Sequence, residues 1–264
     1  MYLEIVPEKD YKQSIECFWF LINERSTLIH PDGTINLISS TKDIFLDDGR
    51  RLPAGSYIFF LRNTAMRVST IGSLIGIRLK LFCYPKLRIS RAAPDFSDDV
   101  VNTDAFFSHK IAHLFDQKAL FRGNYESMYR VVDKVIAQPD VVSNTDRELL
   151  NYILIHRGNF RVNEFSEDVG VSRQYIHKAF QKKFGVAVKN LSSIWRLSYF
   201  LSLIQDGKQI NDALFLSGYY DQAHGINQCK KYLKITPASI GKLNENFHYA
   251  LVTSHNRYAK KYAP

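Results

Sequence analysis

Cysteine is scarce in this chain of 264 residues: Cys17, Cys83 and Cys229 are an odd number without metal-ligand spacing, so neither a disulfide framework nor a zinc site is suggested. No run of eighteen apolar residues occurs, which removes a transmembrane helix from the expectation. The opening MYLEIVPEKD carries Glu4, Pro7, Glu8 and Asp10 where an export leader needs a basic start and an unbroken apolar stretch. A soluble, cytoplasmic protein with no membrane contact is expected. Also lacking is a His-x-His cluster with a carboxylate, which a metal-dependent β-barrel enzyme would need. The N-terminal half offers only His30, His109 and His113. His109 and His113 stand four apart but enclose no Glu, and they read as part of a packing or dimer element. No catalytic residue, metal or cofactor is therefore assigned.

What is present starts with 45% hydrophobic residues, enough for one large core or two ordinary ones. The net charge of +9 is unevenly placed. Residues 1–139 carry 18 Lys and Arg against 16 Asp and Glu, whereas residues 140–264 carry 17 against 10, giving +2 and +7. A basic C-terminal half suits an acidic partner such as nucleic acid or anionic lipid.

Texture divides the chain near the same place. Between residues 15 and 90, runs such as TINLIS, SYIFFL and LIGIRLKLF lie between turn signals at HPDG, DDGR, PAGS and IGS, the pattern of a β sandwich or small barrel. Trp19, within CFWFL, reads as core. From Asp104 onward, DAFFSHKIAHLFDQKALF and NYESMYRVVDKVIA space apolar residues three and four apart, with Gly123 between them, and predict two antiparallel helices. QPD at 138–140 breaks the pattern, so the domains are set at 1–139 and 140–264.

The second domain reads as all helical. A helix near 144–157 precedes a short one at RVNEFSEDVG, with Asn163 as its candidate cap, and Gly170 makes a tight turn. Ser172 can cap the next helix, in which Ile176, Phe180 and Phe184 form one apolar stripe. The opposite face holds Arg173, Gln174, His177, Lys178 and Gln181, donors long enough to reach base edges or phosphates. A short helix, a glycine turn and a donor-rich second helix is the helix-turn-helix pattern. The bland alternative is a helical hairpin with a solvated face. About 49 residues on, the unit recurs around Ile210, Gly218 and DQAHGINQCKKYLKITP, with Gly225, Cys229 and Leu233 replacing the apolar stripe. LSSIWRLSYFLSLI supplies a joining helix with Trp195 in its core.

At residues 145–242 the sequence resembles the AraC/XylS family of bacterial transcription regulators. The likeness rests on Gly170, Ser172, Phe180, Lys182, Lys183, Gly185, Arg196, Leu197, Gly218, Asp221, Gln222, Lys230, Lys231, Ile235 and Pro237. HPDGTINLI followed by IGIRLKLF looks like the sensor half of a subgroup of that family. The resemblance implies an α+β chain: a cupin-like N-terminal β barrel or sandwich with a helical pair, then two helix-turn-helix units joined by a linker helix. It implies DNA contacts from Ser172, Arg173, Gln174, His177, Lys178, Lys182, Arg196, Gln222, Asn227 and Lys230, with Ala223 at a further reading position. The implied partners are a double-stranded operator, a small-molecule effector of unstated identity, a second copy of the chain and RNA polymerase, in a transcription activator or repressor. A protein-interaction module with a degenerate, non-binding helix-turn-helix is the rival reading.

One departure stands out. Gly225 and Cys229 occupy positions that are usually aromatic in that family, Tyr220 replaces the capping Ser, and Leu214 and Phe215 are the candidates to fill the missing volume. The second unit is expected to be looser than the first, with Asp221 as the substitute cap. The basic, aromatic tail after residue 243 reads as a backbone contact or a solvated end.

Overall fold

The computed structural model describes residues 2–22, 26–87, 98–107, 110–116, 119–120, 122–136, 142–159 and 161–240. Contacts divide the chain into two units. One comprises Met1–Leu28, Thr34–Leu61 and Met66–Val141, and the other comprises Ile29–Gly33, Arg62–Ala65 and Val142–Pro264. Two short loop segments of the N-terminal half thus count with the C-terminal unit.

Among the described residues the first unit is built on the strands β1 (Tyr2–Ile5), β2 (Ile15–Leu21), β3 (Ser26–Ile29), β4 (Ile35–Ser40), β5 (Ile44–Leu46), β6 (Arg51–Leu52), β7 (Gly55–Phe59), β8 (Met66–Thr70), β9 (Leu74–Leu79) and β10 (Val100–Asn102). They form a six-stranded sheet in the order β1-β2-β9-β4-β7-β10 and a four-stranded sheet in the order β3-β8-β5-β6. Every pair in the larger sheet is antiparallel. IECFWFL, INLISS and LIGIRL are buried at every position. A strand covered on both faces reads as a continuous run rather than an alternation, which is why these three were visible as apolar blocks.

Trp19 is core, as its sequence context suggested. It pairs with Gly76 across β2 and β9, and a Cβ on Gly76 would overlap the indole ring. The glycine lets the ring lie across β9, where Nε1 donates to Asn36 Oδ1 of β4 at 3.0 Å. Beside it, Arg78 of β9 donates to Glu4 Oε1 at 3.0 Å, and both side chains are 6% exposed. An ion pair taken out of water survives only with such geometry.

The helical pair departs from expectation in its first member. The 104–121 stretch forms, among the described residues, one turn of helix, α1 (Thr103–Phe106), a 3-10 turn at Ala112–Leu114 and helical backbone at Ala119 and Leu120. Phe106 and Phe107 are both buried, and Phe107 turns extended at φ −92, ψ 150. Adjacent side chains of a continuous helix diverge by about 100°, so burying both rings favours breaking it. His113 lies in the 3-10 turn, and His109 lies outside the described residues. The second member is a true helix, α2 (Glu126–Val135), with Met128, Val131, Val132 and Val135 buried.

The second unit comprises α3 (Asn144–Ile155), α4 (Val162–Asp168), α5 (Arg173–Phe184), α6 (Val188–Gln205), α7 (Ile210–Leu216), α8 (Gln222–Leu233) and the short α9 (Pro237–Ile240). α6 packs against α3, α5, α7 and α8. Its eighteen residues bury Leu191, Ile194, Trp195, Leu197, Phe200 and Leu201, so the hydrophobic joining segment is the axis on which both helix pairs rest. The tail after residue 243 and the break at 138–140 lie outside the described residues.

Candidate nucleic-acid interface

The first helix pair is assembled from local signals. Ser143 caps α3 in a full capping box with Asp146, whose carboxylate also pairs with Lys183 of α5. That ion pair joins the start of α3 to the last turn of α5, a link the sequence could not show because the partners stand 37 residues apart. Ser172 caps α5: its hydroxyl oxygen accepts from the Tyr175 amide at 3.3 Å. Ile176, Phe180 and Phe184 are buried together, with the two phenyl rings 4.6 Å apart. Burial of that stripe orients the rest of the helix.

The consequence is a continuous exposed face. Arg173, Gln174, His177, Lys178, Gln181 and Lys182 are exposed, as is Ser172 beside them. Asn163 is inside α4 rather than capping it. Its side-chain oxygen instead accepts from Arg173 Nη1 at 3.0 Å, holding that guanidinium at the start of α5. Tyr175 is also exposed here and was not foreseen, because an aromatic residue beside the apolar stripe looks like core in sequence. No acidic residue lies in the first turn of α5, and its last turn carries Lys182 and Lys183. A polyanion approaching the exposed face therefore meets positive charge and hydrogen-bond donors.

The second pair repeats the geometry with other residues. Asp221 caps α8, its carboxylate accepting from the His224 amide at 2.6 Å. Gly225, Cys229, Tyr232 and Leu233 are buried, while Gln222, Ala223, Asn227 and Lys230 are exposed. The missing volume at Gly225 is filled. A Cβ on Gly225 would overlap Leu214 Cδ2, and Leu214 is 3% exposed. Phe215 is not the filler, being 81% exposed. The void on which the expected looseness rested is therefore absent. Burial pushes the Cys229 thiol up to about 12 and the Cys83 thiol up to about 11, so both are held protonated and neither is a nucleophile at neutral pH.

Arg196 has an intramolecular partner that the sequence did not reveal. It donates from Nη2 to the Gly158 carbonyl at 3.0 Å, its guanidinium carbon is 5.9 Å from the Tyr219 ring centre, and its Nε is buried. A Cβ on Gly158 would overlap the backbone of α6 at Ser192 and Arg196, so the end of α3 rests directly on that helix. Arg196 fastens this close approach while remaining half-buried.

Among the described residues no group of three or more His, Cys, Asp or Glu is placed to hold a metal ion, and no helix is long and apolar enough to cross a membrane. No protein-family model and no curated protein matches the chain. Solved structures similar to it are those of ToxT from Vibrio cholerae. One has 12% identity and a TM-score of 0.47, covering 86% of this chain and 97% of that one. Another, ToxT with an unsaturated fatty acid bound, has 14% identity and a TM-score of 0.43, covering 83% and 94%. Likeness at that level decides nothing about function.

Proposed function

We propose that the chain is a sequence-specific DNA-binding transcription regulator of the AraC/XylS type. The observation that carries the reading is the exposed, acid-free donor face of α5 set over a fully buried apolar stripe. In this reading α5 lies in a major groove. Gln174 and Lys178 hydrogen-bond purine edges, His177 contacts a base or the backbone, and Ser172, Arg173 and Lys182 contact phosphates. α8 enters a second groove about one turn, roughly 34 Å, along. Gln222 and Asn227 donate there, Ala223 offers only a methyl group, and Lys230 meets the backbone. Phosphate neutralisation supplies affinity and base-edge contacts supply discrimination, each good bidentate pair contributing about 1–3 kcal/mol. Arg196 acts on binding only through the packing of α3 on α6.

The first unit then serves as the sensing and dimerising half, and the regulator works with an operator, an effector and RNA polymerase. Nothing in this reading calls for catalysis. The rival, a protein-interaction module, draws support from Phe215 and Tyr220, which are 81% and 93% exposed on and after α7.

Retention of the whole chain on duplex DNA, measured across salt concentration, separates the two readings. A regulator shows affinity falling steeply with salt, and on its operator Gln174→Ala or Lys178→Ala weakens specific binding more than binding to random duplex. Equal losses on both duplexes would reduce these residues to phosphate contacts, and absence of retention at low salt would leave the interaction module.

A further inference from the structure

The first unit carries a concave site unrelated to the DNA-reading face. A groove of about 690 Å³ lies between the 3-10 turn at Lys9–Tyr11 and α2. Its walls include Tyr11, Tyr125 and Tyr129, and its rim carries Glu8, Glu126 and Asp133.

The aromatic walls are held firmly. Tyr125 and Tyr129 rest on Phe18 of β2, with ring centres 6.1 and 5.1 Å away, and Tyr11 meets Tyr129 at 4.4 Å. The Tyr129 hydroxyl oxygen accepts from the Glu8 amide at 2.8 Å, and Tyr11 donates to Asp133 at 3.0 Å. These contacts fix the groove before any ligand arrives.

Charge and spacing then narrow the ligand. In a chain of net charge +9, this groove has three carboxylates and one cation, Arg130. Arg130 stands four residues after Glu126 and three before Asp133, within reach of both along a helix. Yet among the described residues no Lys or Arg forms an ion pair with Glu8, Glu126 or Asp133. Glu126 and Asp133 are seven residues apart, so they share one face of α2 roughly 10 Å apart along its axis. A single metal ion cannot span that distance, because its oxygen ligands must lie within about 2.6 Å of it. A flexible chain with an ammonium group at each end can span it, its central methylenes and any internal ammonium lying against the tyrosines between.

We infer that this groove binds a linear aliphatic polyamine, with terminal ammonium groups at Glu126 and Asp133 and the middle of the chain against Tyr129 and Tyr11. Glu8 adds a third carboxylate at the rim. The inference does not rest on the DNA-binding reading, and it is tested without DNA.

The experiment titrates the full-length chain calorimetrically with spermidine at about 0.15 M salt, where diffuse attraction is screened beyond roughly 8 Å. Saturable one-to-one binding is expected. It should be weaker for putrescine, which has no internal ammonium to lie against the tyrosines, and weaker again for methylamine, which can meet only one carboxylate. Glu126→Gln and Asp133→Asn should each raise Kd about threefold to tenfold. The exposed carboxylate variant Asp104→Asn, outside the groove, should leave Kd unchanged. Glu126 and Asp133 are exposed, so circular dichroism should show both variants folded. Non-saturable binding, or an equal effect of Asp104→Asn and Glu126→Gln, overturns the inference by reducing it to net-charge attraction. Equal affinity for spermidine and methylamine overturns the two-ended geometry. DNA retention is scored on separate samples, so either reading can fail alone.

Discussion

α5 and α8 are two helices of equal length built on the same plan from different materials. Both have twelve residues, both are capped by a side-chain oxygen accepting the amide three residues on, and both end in a left-handed residue. In α5 the buried volume comes from within, from Ile176, Phe180 and Phe184. In α8 part of it comes from outside, because Gly225 leaves room that Leu214 of α7 enters. The left-handed position is Gly185 after α5 but Lys234 after α8, at φ 67 and φ 60. One backbone outcome thus has a self-sufficient solution and one that depends on its neighbour.

The largest expected difference lies in the stripes. Phe180→Ala should cost about 3–5 kcal/mol, since a buried ring leaves a cavity that its surroundings fill only in part. Cys229→Ala, at the matching place, should cost about 1 kcal/mol, because so little volume is lost. Urea unfolding of the two variants gives both numbers, and equal costs would show the two stripes to be equivalent.

Next is the dependence of α8 on α7. Gly225→Ala should destabilise by about 1–3 kcal/mol by driving a methyl group into Leu214. Leu214→Ala alone should cost about 2–5 kcal/mol. Together they should cost less than their sum by about 0.5–3 kcal/mol, because each relieves the other's defect. Additive costs in the double-mutant cycle would mean that Leu214 does not fill the Gly225 space. Hydrogen exchange gives a second view: with that space filled, amides of α8 should be protected comparably to those of α5 in the free protein.

The smallest effect concerns the ends. A side chain in the left-handed region costs about 1–2 kcal/mol, and glycine escapes most of that. Lys234→Gly should therefore stabilise the second unit by about 1 kcal/mol, and Gly185→Lys should destabilise the first by a similar amount. Thermal unfolding of both variants tests the swap, and a loss of stability in Lys234→Gly would assign the lysine a contact that outweighs its strain.

The reading of α5 from sequence succeeded because its signals are local. A Ser before the helix, apolar residues at every fourth position and a Gly after it all act within one or two turns. The same holds for Trp19 and the apolar runs of β2, β4 and β9. The stretch from Asp104 misled because its apolar residues can be read at helical spacing, while Phe106 and Phe107 are both drawn into the core. Asn163 was misassigned because a cap and a partner for Arg173 need the same side chain, and only the fold brings Arg173 within 3.0 Å. For Arg196 the sequence shows a basic residue on a long helix but not its intramolecular partner. The Gly158 carbonyl that receives it is 38 residues away.

By itself the sequence determined the helix-turn-helix periodicity, the capping by Ser172 and Asp221, the basic excess of the C-terminal half and the apolar blocks of the strands. Each depends on backbone preferences or on the water-avoidance of side chains a few residues apart, which act in any surroundings. Tertiary structure alone decided that Leu214 and not Phe215 completes the packing of α8, that Arg196 turns toward Gly158, that Lys183 pairs with Asp146, and that three tyrosines and three carboxylates share one groove. Those outcomes depend on which atoms occupy the same few ångströms after distant segments meet. Overlap and ion pairing fall off too steeply with distance to leave a mark on the order of residues along the chain.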